Sequence, residues 1–172
     1  KSFAASLGLN MSDYVELTSF THQPYYQKFD VEVPDNWEHQ LMYNLPLDEM
    51  MQTMDYALKN GYSVCWDGDV SEKSFSFING VAINPEVNVT PEVRQKGYET
   101  FVTTDDHLMH ITGITKDQNG TKYYITKNSW GTERNRFGGY LNMSESFVKA
   151  KTIYILVHKD AIPKEIKAKS GI

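Results

Sequence analysis

The sequence predicts an α+β fold: a curled antiparallel β-sheet carrying one main helix. Three observations predict it. In "PLDEMMQTMDYALKNG", Leu47, Met50, Met51, Met54, Ala57 and Leu58 recur at the i, i+3, i+4, i+7 spacing of a single helical face. "HLMHITGITKDQNGTKYYITK" is two β-type runs about Asn119-Gly120, a hairpin signal. "TIYILVHK" is apolar and rich in β-branched residues, as a buried strand requires. The order β, α, then many strands is that of an α+β domain. The 172 residues are read as a single domain, 1–172, long enough to bury a core.

The elements follow in order. "MSDYVELTSF" opens on polar residues. Asp13 and Glu16 have capping-box spacing, but Val15, Thr18 and Phe20 favour a strand over 14–20. "THQPYYQKFDVEVPDNW" is an ordered loop with a short strand at 29–33. The helix has Asp48 and Glu49 at its positive end, Lys59 at its negative end, and Asn60-Gly61 as its stop. Its methionine stripe reads as core packing. "YSVCWDGDV" is a strand ending at Gly68, and 71–104 is a long polar connection with a helix at 91–96. "GGYLNMS" is a short strand, and "PKEIKAKSGI" a polar tail.

Composition narrows the function. A formal net charge of −5 gives no electrostatic reason to expect nucleic acid or an anionic membrane as partner. No apolar run approaches the ~18 residues of a membrane span. "KSFAASLGLN" is too short and polar for a secretory signal. The single cysteine, Cys65, excludes an internal disulfide and a cysteine-built zinc site.

The chemistry is concentrated in the hairpin. Strand alternation puts His107, Met109 and Ile111 on one face and Leu108, His110 and Thr112 on the other, so one histidine at most serves a given site. The return strand runs into "KNSWG", which brings Asn128 back toward His107. A side-chain amide there fixes one ring nitrogen and leaves the other for a nucleophile. Trp130 is placed to cover that bond and exclude water. On spacing alone, a histidine and an asparagine at strand ends also fit a sheet with no chemistry.

"DDHLMHITGI" followed by "YYITKNSWGTERNRFGGYLNM" resembles the His and Asn segments of papain-like (C1) cysteine peptidases. "KNGYSVCWDGDV" and "VHKDAIPKEI" resemble the bleomycin hydrolase and aminopeptidase C branch, and the likeness covers about residues 10 to 166. The resemblance implies the half-barrel, right-hand domain of the papain-like fold. It implies His107 as general base, Asn128 as its orienting partner and Trp130 as the shield. It also implies a peptide substrate, no cofactor, and a self-enclosing homo-oligomer. In that branch a C-terminal arm restricts cleavage to chain ends, and the tail here departs from that arm. Asp105 and Asp106 fit either a role in stabilising the imidazolium or a solvated acidic loop. His110 reads as an ordinary strand residue.

The family's nucleophile opens a helix after a Gln-x-x-x-x-x-Cys-Trp type motif, well over a hundred residues before the histidine. Cys65-Trp66 lies far closer than that, with Lys59 where the glutamine would stand, inside an apolar strand. Cys65 is therefore expected to be a buried structural thiol with its sulfur in the core. The nucleophile is expected on an N-terminal domain absent from this chain, which begins at Lys1 and not at Met. Apolar surface should then be exposed around His107, where that domain docks. The isolated chain is expected to be inactive. The second reading is a non-catalytic binding or structural domain that kept the fold.

Overall fold

The computed structural model describes residues 2–86 and 88–172. A short helix α1 (Ser2–Ser6) leads into β1 (Tyr14–Thr18), β2 (Lys28–Asp30) and β3 (Leu41–Asn44). The main helix α2 (Leu47–Lys59) then precedes β4 (Val64–Gly68). The long connection holds β5 (Phe75–Ser76), β6 (Val81–Ala82) and α3 (Pro91–Glu99). The hairpin strands are β7 (His107–Lys116) and β8 (Lys122–Lys127), followed by β9 (Tyr140–Ser144) and α4 (Glu145–Lys151). The chain closes with β10 (Thr152–His158) and α5 (Lys164–Ser170).

Among the described residues, ten strands form one open sheet in the order β2-β3-β1-β10-β4-β7-β8-β9-β6-β5. Antiparallel pairing dominates, but β1 with β3 and β6 with β9 run parallel. The fold is α+β as predicted. The core lies between the sheet and α2, whose Leu47, Met50, Met51, Met54 and Ala57 pack with Trp66, Ile111 and Tyr124. Burying each large apolar side chain contributes roughly 1.5–3 kcal/mol. The polar side of α2 is pinned as well: Asp55 accepts from Lys122 at 2.9 Å and from the Tyr124 hydroxyl at 2.8 Å.

The hairpin turn is a five-residue loop, not a two-residue one. Asp117 Oδ1 accepts from the backbone N–H groups of Asn119 and Thr121, and Gly120 supplies the positive φ of 84°. Further along β7 the register slips between Ile111 and Gly113, a bulge that ends the simple alternation on the far side of the site.

Three helices depart from the sequence reading: α1, α4 and α5. Ser144 caps α4 by accepting from Phe147 N at 3.1 Å, and Phe147 and Val148 enter the core. The "polar tail" is α5. Pro163 sets its start, Gly171 ends it at a φ of 68°, and Ile166 is fully buried in the main hydrophobic core. Two apolar residues, Ile166 and Ala168, in a seven-residue helix give almost no periodicity, which hides it from pattern reading.

Candidate active site

His107 opens β7 at the rim of the sheet. Its strand neighbour is Gly68, the last residue of β4, and its face is that of Met109 and Ile111, which are buried. The segment before it is held firmly. Asp69 Oδ2 accepts from Lys151 Nζ at 3.1 Å and from Thr104 N at 3.3 Å. Lys151 also donates to Val102 O at 2.7 Å, and Asp106 Oδ1 accepts from Val70 N at 2.9 Å. Burial works against a charge on Asp69, but the hydrogen bonds from Ser71 and the Lys151 ammonium outweigh it and hold the carboxyl below its usual range.

Across the hairpin, Lys127 pairs with His110, so Asn128 follows on beside Met109 and diagonal to His107. His107 Nε2 and Asn128 Oδ1 are 2.8 Å apart. Asn128 is 2% exposed, and its Oδ1 also accepts from Ser129 N at 2.7 Å. That second bond decides the protonation. An N–H donor demands the oxygen at that position, so the amide cannot flip, and Nε2 must carry the ring proton. Nδ1 is then the acceptor, and among the described residues no hydrogen bond occupies it. Trp130 lies against the ring with centroids 4.9 Å apart and is itself held edge-on by Phe75 and Phe77.

The glycine-rich loop after Trp130 is organised by a residue that spacing did not single out. Buried Asn135 donates to Phe77 O and Tyr140 O and accepts from the N–H groups of Phe137 and Gly139. Gly139 needs its missing side chain, because a Cβ would approach Gly131 O to 2.8 Å.

The other predicted residues separate. Cys65 is not in the core. It is half-buried on the opposite face of β4, paired with His110, while Trp66 fills the core and donates to Thr152 Oγ1 at 2.7 Å. The apolar run "SVCWDG" has no polar alternation to fix which residue points inward; pairing with β7 and β10 decides it. Cys65 lies three positions, ~10 Å, along the strand from the end that meets His107, and no hydrogen bond joins them. Burial, and then nearby Asp67, push its thiol up and disfavour the thiolate. Neither Asp105 nor Asp106 forms an ion pair with His107. Asp106 is tied to Val70. Asp105 faces Asp67, a residue the sequence reading passed over.

Asp67, Asp105, Asp106 and Ser129 line a cavity of about 260 Å³ with His107. Asp67 is 2% exposed, and burial followed by the adjacent Asp105 pushes its carboxyl up to about 9. Burial also raises Asp105, against the hydrogen bond with Asp67 that lowers it, and the charge of Asp35 adds to the rise. The surface round His107 is thus mixed: Leu108 is 51% exposed, but much of the rim is acidic. A separate apolar cleft of about 420 Å³, bordered by His22, Tyr98 and Phe101, holds no nucleophile–base pair and meets the acidic cavity only at Asp105.

The sheet and its flanking helices have the papain-like fold. The structure of PepW from Lactobacillus rhamnosis superposes with a TM-score of 0.76 over 98% of this chain and 40% of that one, at 21% identity. The chain belongs to the Peptidase C1-like family, which it matches over residues 1–171. It is 28% identical over 178 residues to Aminopeptidase C of Lactobacillus helveticus, covering 96% of this chain and 39% of that protein. It is 29% identical over 178 residues to Aminopeptidase C of Streptococcus thermophilus, with 95% and 39% covered. The chain therefore spans about two-fifths of the length of these relatives.

Proposed function

We propose that this chain is the base-bearing C-terminal part of a cysteine aminopeptidase, with the nucleophilic cysteine on a preceding domain. The observation that carries the reading is the His107–Asn128 bond of 2.8 Å, with the amide locked by Ser129 N and Nδ1 left free. In the assembled enzyme, Nδ1 takes the thiol proton and His107 becomes imidazolium. The thiolate attacks the peptide carbonyl. Imidazolium then protonates the leaving amine, and an acyl-enzyme forms. His107 next deprotonates water, which releases the acid and restores the thiol. Asn128 Oδ1 holds the Nε2 proton in both states, so the ring need not reorient between steps. Trp130 keeps water from that bond. The name shared by the relatives, and the share of their length that the chain covers, support the aminopeptidase assignment and the preceding domain. The expectation of a homo-oligomer belongs to the same proposal.

The test joins this chain to the coding sequence upstream of it. The assembled protein should hydrolyse aminoacyl anilides and lose activity on thiol alkylation, and His107→Ala should lower kcat by ~10²–10⁴-fold. The 172-residue chain alone should show no turnover, because no thiolate faces Nδ1. Thiol-dependent hydrolysis that is indifferent to His107→Ala would sink the proposal.

A further inference from the structure

We propose that the Asp67–Asp105 pair beside His107 is a binding site for a substrate ammonium group, the free α-amine of a peptide whose first bond lies at His107. The proposal rests on the peptidase reading for the identity of the substrate, but the site itself rests on geometry. Asp67 Oδ1, Asp105 Oδ1 and Asp105 Oδ2 are all buried without a hydrogen-bond partner, and the Tyr154 hydroxyl serves the Asp67 carboxyl alone. Buried acceptors are ordinarily satisfied, and an unsatisfied carboxylate is costlier than a neutral group. A proton shared between the two carboxyls answers for part of this and leaves the remaining acceptors bare. An ammonium ion carries three N–H donors, one for each of these oxygens.

The electrostatics fit a cation. Empty, the pair holds a proton because two adjacent carboxyls in a buried site resist ionising together. A bound ammonium removes that resistance, so binding releases the proton and leaves a charge-assisted contact of the stronger kind. Asp35 adds a negative field on both carboxyls from the outside. A metal ion is the poorer occupant, since among the described residues no group of His, Cys, Asp and Glu side chains is set to hold one. The cavity is about 260 Å³, below the range that encloses a whole ligand, and suits the end of one. His107 borders the same cavity. Asp105 stands two residues before His107, at most ~7 Å along the backbone, which fits an amine one residue away from a carbonyl at His107.

The same ammonium chemistry is found on a lysine side chain, and the experiment separates the two sources. In the assembled protein, kcat/KM is compared for leucyl, N-acetyl-leucyl and N-acetyl-lysyl anilides, in the wild type and in Asp67→Asn. The leucyl substrate should lose about 10- to 100-fold in Asp67→Asn, the scale of one charge-assisted contact, while the acetylated substrates change little. A loss confined to N-acetyl-lysyl anilide would move the site to side-chain recognition and overturn the α-amine assignment. Asp105→Asn serves as the second variant, and circular dichroism checks that each variant folds. Independently of catalysis, leucinamide titrated into the 172-residue chain should shift the carboxyl ¹³C resonances of Asp67 and Asp105, and N-acetyl-leucinamide should not. Hydrolysis that depends on His107, with no leucinamide shift and an unaltered substrate preference in Asp67→Asn, overturns this inference and leaves the peptidase reading intact. A leucinamide shift with no hydrolysis in the assembled protein does the reverse.

Discussion

The amide of Asn128 can face only one way, and this gives a residue-level test in the chain as it stands. ¹⁵N spectra should show His107 protonated at Nε2 when neutral. Asn128→Ala should mix the two tautomers and lower stability by about 1 kcal/mol for the lost buried hydrogen bond. A wild-type ring protonated at Nδ1 would contradict the geometry. Asp67 gives a second test. Its ordinary value is 3.8 and the folded value about 9, so the folded state binds the proton more tightly than the unfolded chain does. That contribution is fully present below about pH 4 and is lost as pH rises through the folded value. Asp69 has the opposite sign: its contribution is present above 3.8 and is lost as pH falls below it. Urea midpoints should therefore fall between mildly acidic and alkaline pH in the wild type. Asp67→Asn should flatten that fall. An equal slope in the variant would show that Asp67 ionises freely.

At the scale of elements, the strand that carries His107 depends on its partner β4. Gly68 faces His107 in the ladder, and a Cβ there would run into Lys151 O and the Trp66 ring. Gly68→Ala should cost about 1–3 kcal/mol by overpacking and should broaden the His107 resonances. Thermal melts and NMR check this; an unchanged melting temperature would mean that the rim yields easily. The same elements show what a sequence discloses. The pairing of His107 with Asn128 was legible because both lie on one hairpin, where a turn signal and a period of two fix their relation. The Asp67–Asp105 pair was not legible, because it arises only when β4 docks on β7, and no local pattern encodes that register. Cys65 was misplaced for the same reason: in a continuous apolar run, inside and outside are assigned by the neighbouring strands. The short helices α4 and α5 escaped because their cores consist of one or two residues, although Ser144, Pro163 and Gly171 mark their ends.

At the scale of the whole molecule, the buried Arg94 shows how far apart the joined pieces lie in the chain. From α3 it donates to Ser19 O, Lys149 O and Ile153 O, and burial pushes it down to about 9. Arg94→Met would strip Ser19 O and Lys149 O of a donor, at about 1–3 kcal/mol for each one left buried and dry, while Ile153 O keeps the Thr18 hydroxyl at 2.7 Å. Chemical denaturation should show a loss of at least ~2 kcal/mol, and a smaller one would mean that water replaces the guanidinium. Strand order carries a consequence of another kind. The strands β2-β3-β1 meet the other six only through β10, the last of these ten to be made. Until residue 158 leaves the ribosome, β1 and β4 each have a bare edge, and bare edges recruit strands from other chains. Assembly must then close the longest loop in the domain, so refolding followed by Trp66 fluorescence should take milliseconds to seconds, not microseconds. Chains truncated before β10 should be caught by chaperones or aggregate during synthesis, whatever the state of the hairpin that holds His107 and Asn128.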